Sequence, residues 1–208
     1  MDGSQDCIYV LFSATPYRMG RVIRLVTGEP YNHVSIAMEE NLRELYAFAR
    51  RHYHTPLYGG FVTEHPARYH HKDAAAQISL YRLPVSHAQK ASLYRRLAQM
   101  GADPERYLYN HLSALAAPFH RKITLRDAFT CAEFTVSVLQ ELGLDFQTGK
   151  FYSIGDIAKK LEEHRFYEGV FPLPPDDADV FFAPYPVAHP LFATARDFLA
   201  LFGRKTTI

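Results

Sequence analysis

The sequence predicts an α+β fold in which an antiparallel sheet packs against helices, and three patterns predict it. Ile8-Tyr9-Val10-Leu11-Phe12 is a continuous β-prone apolar run of strand length. His33-Val34-Ser35-Ile36-Ala37-Met38 and Glu44-Leu45-Tyr46-Ala47-Phe48-Ala49-Arg50 flank the polar residues 39–43 as two arms of a hairpin. Ser86-x-x-Gln89 and Thr130-x-x-Glu133 are capping boxes, and each opens a run with apolar residues at helical spacing.

Composition bounds the rest. A chain of 208 residues suits one medium domain with a sizeable core. Residues 1–170 are expected to form that domain. Residues 171–208 read as a wrapping segment and terminal helix of the same domain, because six of the 13 prolines fall between Pro172 and Pro190. With 23 basic and 22 acidic side chains the net charge is +1, so bulk electrostatics points to no nucleic-acid partner. No apolar stretch approaches the ~20 residues of a transmembrane segment. Cys7 and Cys131 make no disulfide framework and suit a reducing compartment. The polar start Met1-Asp2-Gly3-Ser4-Gln5-Asp6 lacks the basic and apolar regions of a signal peptide, so the expected location is the cytoplasm. Nothing in the chain fixes an oligomeric state.

In chain order, the first strand takes Cys7 as a packing residue. Thr15-Pro16 then reads as an N-cap and first helical residue, with Met19, Val22, Ile23 and Val26 facing inward as far as Gly28 and Arg18, Arg21 and Arg24 on solvated faces. Within the hairpin, His33, Ser35 and Ala37 share one face of their strand and Val34, Ile36 and Met38 the other. Residues 52–73 read as a turn-rich loop around Gly59-Gly60, carrying His52, His54, His65, His70 and His71. Their H-x-H and H-H spacings match no compact zinc signature and no cysteine lies nearby, so solvated histidines are expected, with no metal and no cofactor. Residues 77–83 read as a strand closed by Pro84, and the helix opened by Ser86 runs through Leu93, Leu97 and Met100 to Gly101. Residues 103–119, with Tyr107-Leu108-Tyr109-Asn110, are helical or irregular. Ser153-Ile154-Gly155-Asp156 starts another short helix, and residues 165–169 a last strand. Residues 191–202 form an amphipathic helix expected to dock through Leu191, Phe198, Leu199 and Phe202.

The element that carries chemistry is the Thr130 helix. Cys131 is its first residue, and Phe134, Val138 and Leu142 give it an apolar stripe to bury. At the tip, unpaired N–H groups and the positive end of the helix dipole favour a thiolate. A capped cysteine by itself reads first as a small core residue. An imidazole beside it changes that reading, because a thiol nucleophile needs an adjacent base, and His33 is the candidate.

The order Asn32-His33-Val34-Ser35-Ile36, Tyr109-Asn110, Thr130-Cys131-Ala132-Glu133-Phe134 resembles the circularly permuted, YiiX-like branch of the NlpC-like papain-fold cysteine hydrolases, over roughly residues 8–169. The resemblance implies a papain-like NlpC-type fold in permuted order, with Cys131 as nucleophile and His33 as base. It implies that Tyr109 lines the site and helps to bind an oxyanion beside the Cys131 backbone N–H. Tyr107 is the alternative, and a ring packed in the core is the plain reading of either. Relatives carry a polar orienting residue on the strand after the histidine strand. Here a simple hairpin register puts Ala47, Phe48 or Ala49 there, none of which accepts a proton. Glu44, nearer the turn, and Glu64, if its loop folds back, are the possible orienting residues. A backbone carbonyl or water is the substitute.

Two functions follow as expectations. One is a thiol hydrolase or acyltransferase in which Cys131 attacks an amide, ester or thioester of a peptide-, lipid- or acyl-bearing substrate. The 15 Phe and 14 Tyr suit such a ligand. The alternative is a non-catalytic peptide- or lipid-binding module using the same cleft.

Overall fold

The computed structural model describes residues 6–55, 57–176, 180–183 and 188–204, the side chains of 188–191 excepted. The polar start at residues 1–5, Pro184, Pro186 and the side chains of Pro190 and Leu191 lie outside the described residues. In chain order the elements are β1 Cys7–Ala14, α1 Arg18–Thr27, β2 His33–Ala37, β3 Leu45–Arg50, β4 Gly59–Glu64, β5 His70–His71, β6 Ala74–Ala75 and β7 Gln77–Pro84. Then follow α2 His87–Ala102, β8 Leu108–Tyr109, α3 His111–Ala116, β9 Ala128–Phe129, α4 Cys131–Glu141, α5 Ile154–Lys160, β10 Arg165–Val170 and α6 Ala188–Gly203.

The fold is α+β. Eight strands form one sheet in the order β10-β7-β1-β2-β3-β4-β8-β9, antiparallel throughout except between β8 and β9. β1 lies inside it, paired with β2 and β7. Both of its faces are covered, which explains an unbroken apolar run instead of an alternating one. Ile8, Val10 and Phe12 enter the main core with Leu93 and Leu97 of α2 and Phe134 and Val138 of α4. Tyr9 and Leu11 enter a second cluster with Ala37, Leu45, Tyr69 and Phe171 on the opposite face.

α4 lies against β2 and β3. Its anchor is Phe134, fully buried, whose ring centroid stands 5.3 Å from that of Phe48 and 6.0 Å from that of Phe61. Burying such a side chain contributes about 2–3 kcal/mol and fixes the helix on the sheet. The capping boxes of Ser86 and Thr130 are both formed.

Four expectations need correction. Residues 59–64 are a strand and not part of a loop: β4 pairs with β3 along its whole length, from Leu45 opposite Glu64 to Arg50 opposite Gly59. The first helix starts at Arg18 with Tyr17 at the N-cap position and no side-chain cap. Thr15 instead bonds Asn32, its N–H donating to Oδ1 at 2.9 Å and its Oγ1 accepting from Nδ2 at 2.8 Å. That helix does not bury its apolar stripe either: Met19, Val22 and Val26 are 42%, 56% and 67% exposed. It docks through Gly20, where a Cβ would come within 2.5 Å of Thr15 Oγ1 and 2.9 Å of Asn32 Oδ1 and would push their hydrogen-bonded side chains aside. Arg24 turns inward to donate to the Thr15 carbonyl at 3.2 Å.

The third correction concerns α6, which leaves Leu199 and Phe202 exposed and buries Ala193, Asp197 and Leu201. Arg196 ties it to Glu105 at 2.7 Å, and Arg204 donates to the carbonyls of Arg126 and Asp127 at 2.9 and 2.8 Å. The fourth concerns the histidines of residues 52–73, most of which pack instead of standing in solvent. The His71 ring stacks on Tyr53 and the His52 ring on Tyr58, and His70 Nε2 lies 2.8 Å from the Leu173 carbonyl. Among the described residues no three His, Cys, Asp or Glu side chains group as metal ligands, and no helix is long and apolar enough to cross a membrane.

Candidate active site

Local sequence builds the tip of α4 and its neighbours hold it. Thr130 Oγ1 accepts from the Glu133 N–H at 3.2 Å, and Glu133 Oε2 accepts from the Thr130 N–H at 2.8 Å. Glu133 also accepts from Ser113 Oγ at 2.5 Å and Asn110 Nδ2 at 3.4 Å. The first turn of the helix is therefore tethered to the start of α3. Cys131 is 7% exposed, and that remaining surface opens on two cavities, of about 610 and 430 Å³. Ile23, Asn32, Tyr109 and Ala114 line both, so the thiol sits where the two meet under α1.

His33, at the first position of β2, lines the larger of these cavities with Cys131, close enough for the Cys131 side chain to raise its pKa. Its Nε2 lies 3.0 Å from each carboxylate oxygen of Glu64 and 3.1 Å from Ser35 Oγ. Glu64 ends β4, two strands from His33. It reaches the ring across the intervening β3.

Glu64 is itself fixed. The Ser35 and Tyr69 hydroxyls donate to its Oε2 at 2.7 and 2.8 Å, and Arg68 Nη1 stands 3.9 Å from its Oε1. Burial alone works against a charged His33, but the Glu64 carboxylate and then the Cys131 side chain raise it to about 10. Burial likewise works against a charged Glu64, yet His33 and then Arg68 hold it down at about 2. The pair is thus a carboxylate and an imidazolium at neutral pH.

Tyr109 packs its Cβ and ring against Gly59, where an added Cβ would come within 3.0 Å of it. Burial, then Cys131 and Glu133, push the Tyr109 hydroxyl well up, so it stays a neutral donor. That hydroxyl makes no hydrogen bond among the described residues, and the residue lines both cavities beside the thiol.

Cys131, His33, Glu64 and Tyr109 are therefore together, and two other candidates are elsewhere. Glu44 accepts from Tyr46 OH at 3.0 Å in an exposed position. Tyr107 lies outside the cleft, its ring under the Arg106 guanidinium at 5.5 Å and its carbonyl accepting from the Phe61 N–H at 3.1 Å. Ser35, Arg68 and Tyr69 were missed. The signal for Ser35 was present, since it shares a strand face with His33. For Arg68 and Tyr69 there was none, because they lie in a stretch with neither helical nor strand period.

No protein-family model matches this chain, and no curated protein or solved structure does so either.

Proposed function

We propose that the chain is a thiol hydrolase or acyltransferase, with Cys131 as nucleophile, His33 as base and acid, and Glu64 orienting His33. One observation carries this reading: the His33 ring is held at 3.0 Å by both oxygens of a buried carboxylate and lines the same cavity as Cys131. A histidine kept only for packing needs neither neighbour. The order of elements, with the imidazole strand ahead of the cysteine helix, suits a papain-like fold in permuted order and the resemblance to the NlpC-like hydrolases. Two free cysteines suit work in a reducing compartment such as the cytoplasm.

The chemistry follows from the geometry. The Cys131 thiolate attacks the carbonyl carbon of an amide, ester or thioester; a C–S bond forms and the π pair moves onto oxygen. The Cys131 backbone N–H at the helix tip and the Tyr109 hydroxyl are the donors for that oxyanion. When it collapses, the bond to the leaving group breaks and the proton on His33 passes to the leaving atom. Neutral His33 then takes a proton from water or another acceptor as that nucleophile attacks the thioester, and the thiolate departs with the imidazolium restored. Glu64 keeps the ring turned and favours its charged form in both halves.

A non-catalytic binding module in the same cleft has no use for an oriented His33, and the 3.0 Å contacts with Glu64 orient it. The test is alkylation of Cys131 by iodoacetamide near pH 6, followed by intact mass. Rapid labelling that slows at least about a hundredfold in His33→Ala is expected. Equal rates in the two proteins, or an inert thiol in both, would defeat the enzymatic reading.

A further inference from the structure

The larger cleft contains a cation that nothing in the described residues neutralises. Arg50 ends β3 and lines this cleft with Cys131 and His33. Its guanidinium carbon stands 5.8 Å from the ring centroids of Tyr17 and Tyr53 and 5.4 Å from that of Phe181. Its one hydrogen bond among the described residues runs from Nη1 to the Tyr53 carbonyl at 3.0 Å. Half-buried charges are ordinarily paired with an opposite charge, because burial strips their hydration.

Charge in the cleft makes the excess explicit. Among the described residues Glu64 is the one carboxylate that lines the cleft, and it is held by His33 and approached by Arg68. His33 and Arg68 both approach Glu64, whereas no carboxylate among the described residues approaches Arg50. The rings around it favour a cation through their faces but supply no acceptor for its remaining N–H donors. A guanidinium with an open edge is a fork for an oxyanion, and it engages carboxylate or phosphate through two parallel hydrogen bonds.

We propose that Arg50 is a specificity residue that binds an oxyanion group, carboxylate or phosphate, carried by the molecule whose acyl group Cys131 attacks. This rests on the catalytic reading of the cleft and narrows the substrate to an anion-bearing amide, ester or thioester. The aromatic walls formed by Tyr17, Tyr53 and Phe181 leave the oxyanion in a place where water competes weakly for the guanidinium, which strengthens the pairing.

Isothermal titration of the full chain with phenyl phosphate and with phenylacetate, beside benzyl alcohol as the neutral arm, tests this without using the thiol. At least one oxyanion is expected to bind at least about tenfold more tightly than the alcohol. Arg50→Gln is expected to erase that difference and Arg50→Lys to restore part of it, with a thermal melt showing each variant folded. The relative strength of the two oxyanions separates phosphate from carboxylate recognition. Binding no better than that of benzyl alcohol in the unmodified protein overturns the proposal, whatever the variants do, as does an oxyanion preference that Arg50→Gln leaves intact. If oxyanions bind while Cys131 resists alkylation, the catalytic reading fails and the anion site stands. A reactive Cys131 without oxyanion binding sinks the Arg50 proposal alone.

Discussion

Both carboxylate oxygens of Glu64 lie 3.0 Å from His33 Nε2, although the two residues stand on strands separated by a third. The contact joins the far strand of a three-strand unit to the imidazole that lines the larger cavity with Cys131. It sets the ring's orientation and its charge together, so loss of the carboxylate has consequences of two kinds.

The first is reactivity. The Glu64 carboxylate raises the His33 value, so its removal lets the ring lose its proton at lower pH and withdraws the cation that stabilises the thiolate. Glu64→Gln is expected to slow iodoacetamide alkylation of Cys131 near pH 6 by about tenfold or more, one factor of ten for each pK unit lost. Rate profiles from pH 4 to 10, read by intact mass, check this. An unchanged profile would mean that Glu64 is structural only.

The second is stability against pH. Glu64 falls from 4.5 to about 2 on folding, so its contribution is present in full above pH 4.5 and is lost as pH drops toward 2. His33 rises from 6.5 to about 10, so its contribution is complete below pH 6.5 and is lost as pH climbs toward 10. The melting temperature should therefore be highest between about pH 4.5 and 6.5 and fall on both sides. Thermal scans of the unmodified chain and Glu64→Gln compare the two, and the variant should show the flatter curve.

Tyr109 can be separated from the base by choice of reagent. Alkylation creates no oxyanion, whereas attack on p-nitrophenyl acetate does. Tyr109→Phe is expected to slow acylation by that ester by about ten- to a hundredfold while alkylation stays within about twofold. Tyr107→Phe should change neither rate. A Tyr109→Phe protein that loses both reactions in parallel would point to a packing role for the ring.

Phe134 holds α4 and thereby Cys131 on the sheet. Phe134→Ala is expected to cost about 3–5 kcal/mol in urea unfolding, since the side chain is fully buried between Phe48 and Phe61. Thr130→Ala should cost about 1 kcal/mol through the lost cap. A destabilisation below about 1 kcal/mol for Phe134→Ala would contradict the packing described here.

Elements whose signals are local can be read directly from the chain. The Thr130 and Ser86 capping boxes, the apolar period behind Cys131 and the hairpin that starts at His33 all depend on residues within a few positions of one another, and all are present as expected. Which surfaces meet depends on three-dimensional packing. Gly59-Gly60-Phe61-Val62-Thr63-Glu64 lacks a clear strand signal because its two glycines and short length look like a turn, and pairing with β3 makes it a strand. Glu64 then reaches His33 across β3, a relationship among three strands that no spacing in the chain encodes. The stripe of Met19, Val22 and Val26 shows the complementary limit. Periodicity reports that a helix has an apolar face, but what covers that face is set by where the helix docks, and here Gly20 docks it with the stripe left open.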